Sequence, residues 1–374
     1  MEASEPKRHD PLSEIIMKER LQSLQSFGSI AAEDDAVLDY FLTTDAVERI
    51  SKSNNFLVLG RKGSGKTALV RHFAEGKSGN KSRSLSLSRY PWNIHARRKD
   101  AGASHIEAYV SSWYYLISVE FASLILSWSR RTTLDPVKSL HTFLSQNYGG
   151  PNVHLEEVLR PKRLILSKAS FEPTVLGNKL GSIALEREDS DSSFGLEINT
   201  LSNSIIDACC KVMSEENMDG ALLHFDELDH GLSSIDENRA SMIIGLILAA
   251  RAFLRYVINK EIPRVKSIVY LRTDIWDELE FSDKNKIGQS SSISLEWESS
   301  SLKRLIDIRI KTRLGDDLTW ESITTERLMR GSQTKWNHIL ARTFLRPRDV
   351  ISFANFILEE FKKSNRGDLI DNED

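Results

Sequence analysis

An α/β fold is what the sequence predicts: a parallel sheet in three layers, carrying an inserted mixed segment and a C-terminal helical lid. Three observations predict it. The apolar run FLVL, Phe56 to Leu59, leads straight into the glycine-rich turn GRKGSGKT and then into the helix-like ALVRHFAE. Two further apolar runs, beginning at Ala221 and Lys266, end in polar residues and flank a helix-length stretch from about Asn238 to Ile258. After Trp297 the strand pattern stops and helical periodicity takes over. Strands alternating with helices point to a parallel sheet, and a run of helices after it to a separate bundle.

Gly60 through Thr67 has the form G-x-x-x-x-G-K-T between a strand and a helix, the context that a phosphate-binding loop requires. Gly60, Gly63 and Gly65 let the chain turn so that successive N–H groups face one concavity, and the following helix adds its positive end. With Arg61, Lys62, Ser64 and Ala68 they are expected to surround an anion of triphosphate size. Lys66 would reach the β- and γ-phosphates, and the Thr67 hydroxyl would hold Mg²⁺.

The second strand, ALLHFDELD from Ala221 to Asp229, ends in adjacent carboxylates. Asp226 is expected to orient the Mg²⁺ water shell and Glu227 to act as the base that polarises a water. His224, inside the strand, reads as a packed core residue. The third strand, KSIVYLRTD, ends in Arg272, Thr273 and Asp274, and ligands of open parallel sheets sit at the carboxyl ends of strands. Arg272 is therefore the preferred γ-phosphate sensor, with Thr273 second; the alternative is that Arg272 pairs structurally with Asp226 or Asp229. SISLEW, Ser292 to Trp297, closes the series. Beyond it Leu302, Leu305, Ile306 and Ile310 form one apolar stripe, and Val350, Phe353, Ile357 and Phe361 another. Pro347 suits a helix start, and Arg348 follows in the first turn, an end that cations avoid unless an anion faces them. Arg348 is thus the lid residue expected to reach the nucleotide, with Arg346 second.

The order of loop, acidic strand, strand ending in L-R-T-D, Trp before a helical bundle, and P-R-D-x-x-x-F-x-N resembles bacterial P-loop ATPases of the AAA-like and STAND group. The terminal element is similar to that of KAP-type NTPases, N-P-R-x-x-K-R-F-x-N: Pro347, Arg348, Phe353 and Asn355 match, whereas Ile351 and Ser352 replace the basic pair. The likeness covers roughly residues 30 to 90 and 200 to 362. It implies a P-loop NTPase fold and a regulatory role in defence or signalling modules. It also implies a leader lying over the adenine, with Phe27 or Phe41 against the base; core packing is the other reading of both.

With 50 basic and 53 acidic residues in 374, no strong overall field demands a polyanionic partner. Cys209 and Cys210 are adjacent and read as packed thiols of a cytoplasmic protein. The opening MEASEPKRHDP lacks the apolar core of a signal peptide. Ala108 to Trp128 is long enough to cross a membrane, but Glu120 near its middle favours a buried or partner-facing helix. Ser241 to Ile258 is interrupted by Arg251 and Arg255 and reads as core, so no membrane is expected.

The organisation expected is leader 1–50 with a mobile polar arm bearing a short helix to about residue 25, ATPase core 51–90 and 200–298, partner-binding insert 91–199, lid 299–364, and disordered acidic tail 365–374. FEPTVLGNKLGSIALERE in the insert suggests a hairpin around LGNKLG. Arg89, Arg97, Arg98, Lys99 and the RPKR at Arg160 to Arg163, with Tyr90, Trp92 and His95 interleaved, give nucleic acid a lesser claim. NKIG at Asn285 imitates a guanine-reading motif, but Gly288 has no carboxylate, so ATP is expected. Lys284 or Lys286 could complete a neighbour's site only weakly, being point charges. The expectation is a slow Mg²⁺-dependent ATPase, a switch that clamps its lid through Arg348 and signals through a separate protein effector or a homo-oligomer. The alternative is a nucleic-acid-stimulated motor or loader.

Overall fold

The computed structural model describes residues 11–76, 81–88, 105–153, 158, 163–165, 174–175, 178–179, 184–186, 192–228, 235–262, 264–315, 317–364 and 366–373, with side chains except at 11–15, 105, 163–186 and 192–197. In chain order the elements are α1 (Pro11–Ser23), α2 (Asp45–Lys52), β1 (Leu57–Leu59), α3 (Lys66–Ala74), β2 (Lys81–Ser86), α4 (His105–Trp128), α5 (Asp135–Tyr148), β3 (Arg163–Ile165), β4 (Thr174–Val175), β5 (Asn178–Lys179) and β6 (Ala184–Glu186). There follow α6 (Ser192–Glu215), β7 (Ala221–Asp226), α7 (Glu237–Ile258), β8 (Val265–Leu271), α8 (Thr273–Glu278), α9 (Lys284–Ser290), β9 (Ser292–Ser294), α10 (Ser299–Leu314), α11 (Trp320–Ile323), α12 (Lys335–Leu340) and α13 (Pro347–Ser364). They gather into two compact units: Asp45–Arg61 with Leu69–Ser294, and Met1–Thr44 with Lys62–Ala68 and Leu295–Asp374.

The first unit is α/β. Its five-stranded sheet has the order β2-β7-β8-β1-β9, and every neighbouring pair is parallel. Strands of such a sheet are covered on both faces and read as unbroken apolar runs. All residues of β7 and β8 are accordingly buried. Their alternation divides the two faces. Leu223, Phe225, Val265, Val269 and Leu271, with Leu57 and Leu59 of β1, join one core with α4, α6 and α7. On the other face His224 stacks on Phe73 of α3 with ring centroids 5.4 Å apart, and its Nδ1 lies 2.9 Å from the Tyr270 hydroxyl. Helices therefore cover both faces, an arrangement compatible with three layers.

Much of the segment expected to serve partners is core. Trp113, Phe121 and Ile125 of α4 are buried against the sheet unit's interior, and Glu120, 1% exposed, is held by Arg83 of β2 at 3.1 Å. A buried carboxylate persists only with such a partner. Two helices, Ile106–Trp128 and Glu237–Ile258, are long and apolar enough to cross a membrane, and 78% and 67% of their most apolar windows are buried within the fold. In α7, Arg251 pairs with Asp283 at 2.6 Å, and Asp236 caps the helix by accepting from the Arg239 N–H. Cys209 and Cys210 lie buried and unbridged in α6, and burial pushes both thiols up, Cys210 to about 12. Within the expected hairpin segment β4 and β5 pair antiparallel, Val175 opposite Asn178; β6, in the second β-rich piece, pairs antiparallel with β3 instead.

The second unit is helical. The α10 stripe is buried at Leu302, Leu305, Ile306 and Ile310 as its spacing predicts. In α13 the buried positions are Val350, Ile351, Ala354, Leu358 and Phe361, while Phe353 and Ile357 are only half-buried. The stripe is rotated because small Ala354 faces the core, which a count of bulky residues passes over. The short helix expected in the arm is α1, and its end is packed rather than mobile: Leu21 and the following Leu24 are buried, and Arg20 donates to the Leu314 carbonyl at 3.0 Å. The acidic segment 365–374 is likewise not a free tail. Ile370 is 1% exposed, its N–H donates to the Ile323 carbonyl, and Asp371 accepts from Thr325 Oγ1 at 2.7 Å.

The leader packs through a buried polar cluster. Arg309 of α10 donates to the Phe27 carbonyl at 2.9 Å and pairs with Asp35 at 3.0 Å, its guanidinium 4.3 Å from the Tyr40 ring centroid. Gly28, at φ +116°, permits this approach, since a Cβ there would lie 2.0 Å from Arg309 Nη1.

Candidate functional site

Sequence dictates the start of the glycine-rich loop through β1. Leu57, Val58 and Leu59 are buried between β8 and β9, and the Gly60 N–H donates to the Leu271 carbonyl at 3.2 Å. The loop is followed by α3, which no Gly or Pro interrupts before Glu75 and which buries Leu69, Val70 and Phe73. Gly63 and Gly65 adopt φ of +84° and +96°, the left-handed region that favours glycine; Gly60 does not, so only two of the three glycines serve the turn as expected.

Within the helical unit, three consecutive loop carbonyls are taken as acceptors. Arg346 Nη1 donates to Lys62 at 3.1 Å, the Arg348 backbone N–H to Gly63 at 3.3 Å, and the Trp297 indole to Ser64 at 2.8 Å. The Arg348 side chain lies against Gly63. Its Nε and the Ser64 Oγ are both shielded from solvent and lack a hydrogen-bond partner among the described residues. Arg346 is engaged by Asp349 through both guanidinium nitrogens, Nε at 2.9 Å and Nη2 at 2.8 Å. Of the two arginines in the α13 start, Arg348 alone keeps its guanidinium out of an ion pair with Asp349.

In the sheet unit, parallel pairing brings the carboxyl ends of β7, β8 and β1 to one edge. Asp226 closes β7, is 5% exposed, and lies opposite Ser86 of β2. Glu227 follows at φ +61°, an uncommon backbone for a non-glycine residue, and its Oε2 accepts a hydrogen bond from the Ser86 hydroxyl. At the end of β8, Arg272 forks onto Asp274, with Nε donating to Oδ1 at 3.0 Å and Nη2 to Oδ2, and the guanidinium holds the Asp274 carboxyl below the usual range. Arg272 thus has Asp274 as one structural partner; Asp229 lies outside the described residues. Thr273 opens α8.

Other candidates are dispersed. Phe27 is 0% exposed in the helical core and Phe41 half-buried, so core packing accounts for Phe27. Lys284 donates to the Asp277 carbonyl at 2.9 Å, and Lys286 is exposed. The basic and aromatic residues 89–99 and 160–162 lie outside the described residues. His224 is indeed core, and burial lowers its pKa to about 3.

The donor chemistry suits a phosphate and a hard cation. Left-handed glycines, a helix start at Lys66 and a buried hydroxyl at Ser64 are groups that face an anion. Among the described residues no group of three or more His, Cys, Asp or Glu could hold a metal by itself. Mg²⁺ differs in needing only one or two protein oxygens beside phosphate and water, and the Thr67 hydroxyl and the Asp226 carboxylate are each of that kind. Sequence reasoning missed Ser86, the Trp297 indole as a donor, and Asn355, whose amide accepts from the Phe27 N–H at 2.8 Å and donates to the Gly28 carbonyl at 2.9 Å. Asn355 had a signal in the P-R-D-x-x-x-F-x-N match and Ser86 in being the serine that ends β2; neither signal says which group is met.

Residues 300–374 match the FunZ-associated C-terminal helical domain, which takes in α11, α12, α13 and nearly all of α10. No curated protein and no solved structure matches the chain.

Proposed function

We propose that the chain is a Mg²⁺-dependent ATPase of the P-loop class, acting as a regulatory switch through a separate protein partner. One observation carries this reading: β1, β7 and β8 are parallel neighbours, so GRKGSGKT, the Asp226–Glu227 pair and Arg272 all follow the same edge of one sheet. Bound Mg-ATP supplies a phosphoanhydride whose cleavage the protein's residues assist. Lys66 neutralises charge on the β- and γ-phosphates, while the backbone N–H groups of residues 60–68 and the start of α3 bind their oxygens. The Thr67 hydroxyl and the Asp226 carboxylate would hold the cation. Glu227 takes a proton from the attacking water, held in place until then by Ser86. Arg348, beside Gly63, and Arg272, once released from Asp274, face developing charge.

Calorimetric titration with Mg-ATP tests the reading. Micromolar binding by the native chain and none by Lys66→Ala, with unchanged thermal midpoints, is the expected result. Equal binding by both would remove the loop from the site.

A further inference from the structure

We propose that Trp297, assisted by Arg346, is a positioning residue that holds the phosphate-facing N–H groups of the 60–67 loop in place by gripping its outward carbonyls. The inference rests on the ATPase reading and deepens it. In a planar trans peptide the C=O of one residue and the N–H of the next point in opposite directions. Fixing the carbonyls of Lys62, Gly63 and Ser64 therefore fixes the N–H groups of Gly63, Ser64 and Gly65. The three donors, Arg346 Nη1, the Arg348 N–H and the Trp297 indole, belong to the same unit as the loop. Each N–H thus aims away from the donor that grips its peptide, toward the concavity a phosphate would fill.

Trp297 is the firmest of the three grips. Its bond, at 2.8 Å, is the shortest, against 3.1 Å for Arg346 and 3.3 Å for the Arg348 N–H. The ring also packs against the helical core, and its Cζ2 would lie 3.9 Å from a Cβ at Gly65. Arg346 is itself braced by the two-point pairing with Asp349. A loop so held meets its ligand without first ordering its peptides, and that saving is what affinity gains from preorganisation. The unpartnered, buried Ser64 Oγ sits in the gripped stretch and marks it as built for a ligand.

Trp297→Phe keeps the ring and deletes the N–H. Mg-ATP and Mg-tripolyphosphate are titrated into both proteins by calorimetry, with the unliganded thermal midpoint recorded. The expected result is a loss of about tenfold in affinity, equal for the two ligands, with the midpoint unchanged. In ¹⁵N-indole spectra, the peak absent from Trp297→Phe should shift when tripolyphosphate alone is added to the native protein. Native affinity in Trp297→Phe overturns the proposal, as does a loss confined to ATP or an unmoved indole peak. Should Trp297→Phe not fold, Arg346→Ala serves in its place, with about threefold weakening of both ligands expected and native affinity counting against the idea. If the native chain binds neither ligand, the ATPase reading falls and the grip with it; binding that Trp297→Phe leaves intact sinks the grip alone.

Discussion

Arg348 lies so close over Gly63 that a Cβ on that glycine would come within 2.8 Å of the arginine's own Cβ. The position is doubly restricted, because φ there is +84°. Gly63→Ala is expected to destabilise the fold by about 1–3 kcal/mol and to weaken Mg-ATP binding at least about tenfold. Arg348→Gly, which alone removes the contacting Cβ, should in the same chain recover only the steric part. A double-mutant cycle by urea denaturation checks this; strictly additive effects would show that the two residues do not press on one another.

Glu227 is held by Ser86 across the β2–β7 pair. Glu227→Gln should bind Mg-ATP within about threefold of the native chain and lose turnover by about 10² to 10⁴. Phosphate release under saturating nucleotide measures it. Turnover retained in Glu227→Gln would place the base elsewhere.

Asp35 and Arg309 are a buried pair, with side chains 3% and 5% exposed. Removing one partner leaves the other charge stranded, so Asp35→Ala is expected to cost about 3–5 kcal/mol. Chemical denaturation reads the loss. A change below about 1 kcal/mol would mean that the cluster formed by Asp35, Tyr40 and Arg309 does not hold the leader to α10.

His224 stays neutral in the fold because burial depresses its pKa to about 3, against a usual value near 6.5. The unfolded chain takes up the proton first, so its contribution to stability is whole above about pH 6.5 and falls as pH drops toward 3. The slope approaches about 1.4 kcal/mol per unit. His224→Gln, which can still pair with the Tyr270 hydroxyl, should flatten it between pH 4.5 and 6.5, a range of about two units over which urea midpoints of the two proteins are compared. Parallel curves would exclude this histidine as the source.

The sheet was legible because Phe56–Leu59, Ala221–Phe225 and Ile268–Leu271 are runs too short for helices and apolar but for His224, stopped by Gly60, Asp226 and Arg272. Local chemistry of that kind survives in sequence. Relationships that depend on register do not: Ser86 meets Glu227 only because β2 pairs with β7, and Asn355 meets Phe27 across 328 residues of chain. The pairing of Arg272 with Asp274, two residues ahead where the chain turns into α8, is likewise a matter of local backbone that apolar periodicity does not report. The α13 stripe slipped because periodicity weighted by bulk cannot see that Ala354 faces the core.

The parallel seam of β1 with β8 also bears on how the protein is made. Leu57 pairs with Val269, so about 210 residues must leave the ribosome before this strand's first lateral neighbour exists. At about 5–20 residues per second, that is a wait of roughly 10–40 s for Phe56–Leu59, and α4 emerges meanwhile with its apolar surface uncovered. Biosynthesis, rather than the finished molecule, is where this chain is most exposed to aggregation, and yield should respond to holdase supply and to growth temperature.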